Sequence, residues 1–118
     1  MKKRTAMDEQ ELSWIYMTAG SLQEARQIGK VLVEKKLAAC VNVIEGMCSL
    51  YQWNGEMQED RETVMIAKTR HELVGELTRV VKLVHSYDCP CILELPVKGG
   101  NPEFFDWIRA KIDSSSRR

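Results

Sequence analysis

Ser49-Leu50-Tyr51-Gln52-Trp53-Asn54-Gly55-Glu56-Met57 reads as two β-strands closed by a two-residue turn. Asn-Gly is the strongest short hairpin signal, because both turn positions need φ > 0. The turn fixes the register: Trp53 faces Glu56, Tyr51 faces Gln58, and Met47 faces Glu62 if no bulge intervenes. The β-like run leading in spans Ala38 to Trp53, with Val41, Val43, Ile44, Leu50 and Tyr51. The return strand runs from about Met57 to Lys68, apolar in Val64-Met65-Ile66-Ala67. Both arms exceed the ~5–6 residues of a common strand. Gly46 is a natural bulge point that bends the arm.

On either side of this hairpin lies a strand–helix pattern. Leu12 to Thr18 reads as a strand, followed by a turn at Ala19-Gly20. Ser21-Leu22-Gln23-Glu24 is a capping box, and Leu22, Ala25, Ile28, Leu32 and Val33 continue it at near-helical spacing. Lys35 and Lys36 are expected in the last turn, where cations suit the helix dipole. Thr69-Arg70-His71-Glu72 reads as a second capping box, with Leu73, Leu77, Val80, Val81 and Val84 as the next stripe. His71 is expected to face solvent there. A loop follows at His85-Ser86-Tyr87-Asp88-Cys89-Pro90, and then a strand from Cys91 to Val97. Asn101 and Pro102 suit the N-cap and first position of a short final helix carrying Phe104, Phe105, Trp107, Ile108 and Ile112.

The order is βαβ-βαβ plus a helix, two similar units joined by the hairpin. Right-handed crossovers put both long helices on one face. The expected fold is α+β: a ferredoxin-like βαββαβ sandwich with a long β2–β3 hairpin and a short C-terminal helix, first and third strands central. Residues 1–11 and 113–118 are expected to be flexible ends around one domain, 12–112.

Composition narrows the function. The 118 residues carry 17 Lys+Arg and 17 Asp+Glu, so the net charge is zero. That balance argues against a nucleic-acid partner, since neutralising phosphates needs a cationic surplus. No run reaches the ~20 apolar residues of a membrane span, so no membrane partner is expected. Met1-Lys2-Lys3-Arg4 imitates the start of a signal peptide, but acids follow where an apolar segment should be, so a cytoplasmic location is expected. Four cysteines, Cys40, Cys48, Cys89 and Cys91, are expected to be reduced there.

The hairpin arm carries Met47, Leu50, Tyr51, Trp53 and Met57 beyond the reach of the two helices. A large aromatic side chain presents ~150–250 Å² for burial, and such a surface is rarely left wet. Long arms also expose backbone edges that another sheet can pair with. Self-association into a homo-oligomer is expected. Glu56, Glu59, Asp60, Arg61 and Glu62 read most simply as a solvated face, with pairing across subunits as the other reading.

The chemistry-bearing residues cluster after the second helix. His85 can ligate a metal as neutral imidazole, and thiolates at Cys89 and Cys91 suit soft ions, Cu(I) above all. Cys89-Pro90-Cys91 is not the C-x₂-C knuckle of structural zinc sites. A strand beginning at residue 91 would aim both sulfurs along one face. Each has a plainer role: a hydrogen-bonded loop histidine, and a small apolar Cys91 beside an incidental Cys89. Cys40 reads as core. No phosphate-binding glycine loop, H-E-x-x-H or G-x-S-x-G stands in the chain, so an enzyme is not expected. Lys68, His85, Tyr87 and Asp88 would either do acid–base work in a cleft or hold subunits together.

Leu37-Ala38-Ala39-Cys40-Val41-Asn42-Val43, Ser49 to Gly55, Ile66-Ala67-Lys68-Thr69, His85-Ser86-Tyr87, Leu95-Pro96-Val97 and Trp107-Ile108 resemble, in order, the CutA family of divalent-cation tolerance proteins. The resemblance implies a ferredoxin-like subunit, a homotrimer joined through the long hairpins, and a role in tolerance of copper and other heavy-metal ions. It implies copper or another divalent cation as the ligand. In copper-binding members the ligands are a Cys ending the first strand and a His-His pair. The matching positions here are Met17, Val84 and His85, so only His85 is kept. Met17 offers a thioether to Cu(I), and Cys89 and Cys91 offer replacement ligands. Asp88 stands where the family commonly has Glu. The subunit clefts are expected to involve Tyr51, Trp53, Lys68, Tyr87 and Asp88. Two other readings stay open: a trimeric regulatory scaffold with small-molecule sites between subunits, and a small-molecule enzyme.

Overall fold

The structure, a computed structural model, describes residues 11–112. The elements are β1 (Leu12–Ala19), α1 (Leu22–Glu34), β2 (Cys40–Trp53), β3 (Glu56–Arg70), a 3₁₀ turn at His71–Leu73, α2 (Val74–Val84), β4 (Ile92–Pro96) and α3 (Pro102–Lys111). The strands form one antiparallel sheet in the order β2-β3-β1-β4. This is the expected ferredoxin-like arrangement, with the first and third strands central. The expected flexible ends lie outside the described residues except for Glu11, whose carbonyl accepts from the His71 N–H at 2.8 Å.

One face of the sheet buries Ile15, Met17, Ala19, Met65 and Ala67 against Ala25, Ile28 and Leu32 of α1 and Leu77, Val80 and Val81 of α2. Each large side chain taken fully from water contributes about 1.5–3 kcal/mol. Leu12, Leu73, Ile108 and Ile112 make a second, smaller core beneath α3. The remaining sheet face leaves Trp14, Ile44, Leu93 and Leu95 exposed. Val33 and Val84, expected within the buried stripes, are exposed.

Local chemistry explains most boundaries. Ser21 caps α1 by accepting from the Glu24 N–H at 3.1 Å, and Asn101 caps α3 by accepting from the Glu103 N–H at 3.1 Å. Two expectations need correction. Lys35 and Lys36 fall after α1 rather than in its last turn: Lys35 is the C-cap and Lys36 takes φ 59°. The second capping box does not form. Thr69 remains in β3 and its hydroxyl donates to the Leu37 carbonyl at 2.7 Å. Arg70 precedes the 3₁₀ turn with no side-chain cap. The final strand also starts one residue later than expected, at Ile92.

The hairpin follows the expected register, with Trp53 opposite Glu56, Tyr51 opposite Gln58 and Met47 opposite Glu62. Asn54 and Gly55 take φ 53° and 79°, the positive pair that a two-residue turn with the strands' own twist demands. The ladder shifts between Ile44 and Met47, where Gly46 sits at φ 93°. This bulge marks where the arm leaves the covered sheet. Beyond it Leu50, Trp53 and Met57 are each 66% exposed.

Candidate functional site

The loop after α2 is tied down by two side chains. His85 sits under it with its ring fully buried. Its Nδ1 accepts from the Tyr87 N–H at 3.0 Å, so Nε2 carries the hydrogen and donates to the Thr18 carbonyl at 2.8 Å. Glu24, in the first turn of α1, accepts from the Ser86 N–H at 2.7 Å, the Ser86 hydroxyl at 3.0 Å and the Gly20 N–H at 3.3 Å. Burial opposes ionisation of Glu24, yet these hydrogen bonds together hold its carboxyl below the usual carboxylate range.

So anchored, the loop walls a pocket at the base of the arm. Its lining is Thr18 from β1, Tyr51 from β2, Asp60 and Glu62 from β3, and Tyr87, Cys89 and Cys91 from the loop, around about 380 Å³. Tyr87 donates to Glu62 Oε2 at 3.0 Å and Ser49 donates to Glu62 Oε1 at 2.6 Å. Tyr51 donates to Asp60. Burial, then the hydrogen bond to Glu62, pushes Tyr87 up to about 12. Burial, and after it the Glu62 charge, raises the Cys91 thiol. The pocket thus places two carboxylates and two thiol-bearing residues around one cavity, a setting that favours cations over anions.

The sequence-predicted residues divide. Cys89, Cys91, Tyr51 and Tyr87 come together here. Met17 does not join them: it is fully buried between sheet and helices. Both ring nitrogens of His85 are engaged in holding the loop, so metal ligation would cost it one of those bonds. Trp53 lies at the exposed hairpin tip. Lys68 lies opposite Trp14 and Cys40 in the sheet, with Nζ 5.6 Å from the Phe104 ring centre. Asp88 is exposed and does not line the pocket. Among the described residues, no group of three or more His, Cys, Asp and Glu side chains converges as a metal cage would. The sequence reading missed Thr18, Glu24, Asp60 and Glu62. The hairpin register was the available signal for the two acids, since it sets Asp60 and Glu62 beside Ser49 and Tyr51.

Residues 13–111 match the family described as CutA1 divalent ion tolerance protein. The chain belongs to the CutA1 family. It is 46% identical over 101 residues to the divalent-cation tolerance protein CutA of Archaeoglobus fulgidus, covering 86% of this chain and 98% of that one. A structure of that organism's CutA, described as a periplasmic divalent cation tolerance protein, superposes with a TM-score of 0.83 at 45% identity, over 86% of this chain and 99% of that one. CutA1 from Oryza sativa superposes with a TM-score of 0.86 at 36% identity, over 88% and 95%. The subunit fold is therefore shared with these CutA structures, as the resemblance implied. No helix among the described residues is long and apolar enough to cross a membrane.

Proposed function

We propose that this chain is a homotrimeric cation-binding protein of metal tolerance, not an enzyme, and that it holds copper or another thiophilic ion at Cys89 and Cys91. The observation carrying this is that both cysteines line one pocket with Asp60 and Glu62. Soft thiolates select soft ions, and a pair of them suffices for Cu(I), which accepts low coordination numbers. The carboxylates add attraction for a cation, although their oxygens already accept from Tyr51, Tyr87 and Ser49. All four cysteines are free, which suits a reducing compartment such as the cytoplasm. Self-association is supported by the exposed apolar arm beyond Gly46 and by the outer edges of β2 and β4, which no other strand among the described residues pairs with. Three copies is the number the family resemblance implies.

The test is an anaerobic Cu(I) titration of the wild type and of a Cys89→Ser/Cys91→Ser variant, with the mass in solution measured alongside. The double variant is expected to lose the tight site while keeping the trimer. Equal affinity in the two proteins removes these sulfurs from the site. A monomer at micromolar concentration removes the assembly.

A further inference from the structure

Two thiols in one pocket can do more than bind a metal. We propose that Cys89 and Cys91 are an oxidative modification site: a peroxide joins them as a disulfide across Pro90, and the pocket loses both thiols. The consequence for metal rests on the function proposed above; the disulfide itself does not.

The other cysteines are badly placed for such a bond. Cys40 and Cys48 lie on the same strand, eight positions apart, or about 26 Å at strand rise. Their cross-strand neighbours are Lys68 and Arg61. Cys89 and Cys91 are separated by a single residue, so two trans peptides hold their Cα atoms within about 7 Å even at full extension. A disulfide needs roughly 4.4–6.8 Å. The chain bends at Cys89 and regular pairing begins only at Ile92. Neither cysteine is therefore committed to the sheet ladder, and Pro90 has no N–H whose bond must be given up. So small a ring gains little from loop closure, and strained disulfides are the easily reduced ones. The bond is reversible rather than structural.

Exposure sets the order of events. Cys89 is exposed and Cys91 is half-buried, so an oxidant meets Cys89 first. Its thiolate attacks one peroxide oxygen and the O–O bond breaks. Hydroxide leaves and takes up the thiol proton as water, and Cys89 becomes a sulfenic acid. The Cys91 sulfur then attacks that sulfenic sulfur. The S–O bond breaks, and the oxygen leaves as a second water with the Cys91 proton. Two thiols are oxidised and one peroxide is reduced.

The full-length protein is treated with hydrogen peroxide, alkylated, digested and weighed by peptide. The fragment bearing both cysteines is expected to lose the mass of two hydrogens and to resist alkylation until dithiothreitol is added. Cys40 and Cys48 remain open to alkylation. In Cys91→Ser, Cys89 is expected to stop at a sulfenic acid that dimedone traps. Direct passage of wild-type Cys89 to sulfinic acid, or a bond to Cys40, Cys48 or a second chain, overturns the proposal. Cadmium(II), thiophilic and redox-inert, then reads the consequence. The oxidised protein is expected to bind it more weakly by over the roughly tenfold loss that even an outer-shell change causes. A disulfide that forms with cadmium binding unchanged leaves the modification standing and sinks the metal site. An unmodified pair beside intact metal binding does the reverse.

Discussion

The Glu24 carboxylate accepts from both the backbone N–H and the hydroxyl of Ser86, 62 residues further along the chain. Through this contact the first turn of α1 sets the position of the loop that carries Tyr87, Cys89 and Cys91. The side chain does not simply turn back on the Ser21 cap: Oε1 accepts from the Gly20 N–H, one residue before the cap, and both oxygens hold Ser86. Glu24→Ala would leave the Ser86 and Gly20 donors to water. The expected loss is about 0.5–1.5 kcal/mol, the net worth of a hydrogen bond whose donors water can take over, read as a lower urea midpoint. An unchanged midpoint would show that the loop holds itself.

Acid stability follows from the same group. The Glu24 carboxyl sits below its ordinary value of 4.5 in the folded chain, and Glu94, facing burial but bonded to His71 and Ser13, is lowered too. A lowered folded value means the stabilisation is present above the unfolded value and is lost as pH falls through the folded one. The melting temperature should therefore hold from neutral pH toward 4.5 and then decline. Glu24→Gln should lose less below that point than the wild type. Parallel curves for the two proteins would remove Glu24 from the acid transition.

Backbone geometry gives opposite effects at two positions. Gly46, at φ 93° in the bulge, has open space around its missing side chain. Gly46→Ala thus meets no steric neighbour and is destabilising through conformation alone, by about 1–2 kcal/mol. Lys36, at φ 59° just after α1, is a side-chain-bearing residue where helices favour glycine. Lys36→Gly is expected to stabilise the chain by about 0.5–1 kcal/mol, since relief of the left-handed strain outweighs the added freedom of the unfolded state. Chemical denaturation of both variants checks the pair. The same sign at both positions would refute this account of the backbone.

These cases also show what the sequence makes legible. Asn54-Gly55, Gly46 and the Ser21 cap are local: the residue type and its own backbone suffice, so register, bulge and helix start can be read directly. The Thr69 hydroxyl has two uses open to it, a cap three residues on or the Leu37 carbonyl across the fold, and tertiary pairing wins. Asp60 and Glu62 looked like a solvated face for a related reason. Glu62 acquires its role from Tyr87, 25 residues away, and nothing local to either residue marks the partner. The two acids of the candidate pocket were hidden while its cysteines, close in sequence, were not.

At the hairpin tip, Trp53 is exposed and opposite Glu56. It lies outside both cores. Trp53→Glu places two like charges face to face in an exposed pair, which costs the lone subunit only a few tenths to about 1 kcal/mol. In an assembly that covers the arm it would bury a charge, and an aromatic anchor of this kind carries about 2 kcal/mol or more. Sedimentation velocity over a concentration series should show the variant dissociating at concentrations where the wild type stays assembled, with the far-ultraviolet spectrum intact. Identical profiles would mean that the arm's apolar face is not what joins the copies.

Met17 decides whether the first-strand position that the resemblance assigns to a ligand has any metal role in this chain. The side chain is fully buried and pairs in register with Met65 and Ile92 on the covered face. A thioether there packs against apolar neighbours and can meet an ion only if the core opens. Met17→Leu keeps the volume and removes the sulfur, so it should cost under about 1.5 kcal/mol; Met17→Ala leaves a cavity and should cost about 2–5 kcal/mol. Cu(I) affinity is expected to be the same for Met17→Leu as for the wild type, because the sulfurs proposed as ligands lie in the pocket at Cys89 and Cys91. A loss of Cu(I) affinity in Met17→Leu, with its stability preserved, would mean that the core sulfur reaches the ion after all and that the site is built around β1 instead of the loop.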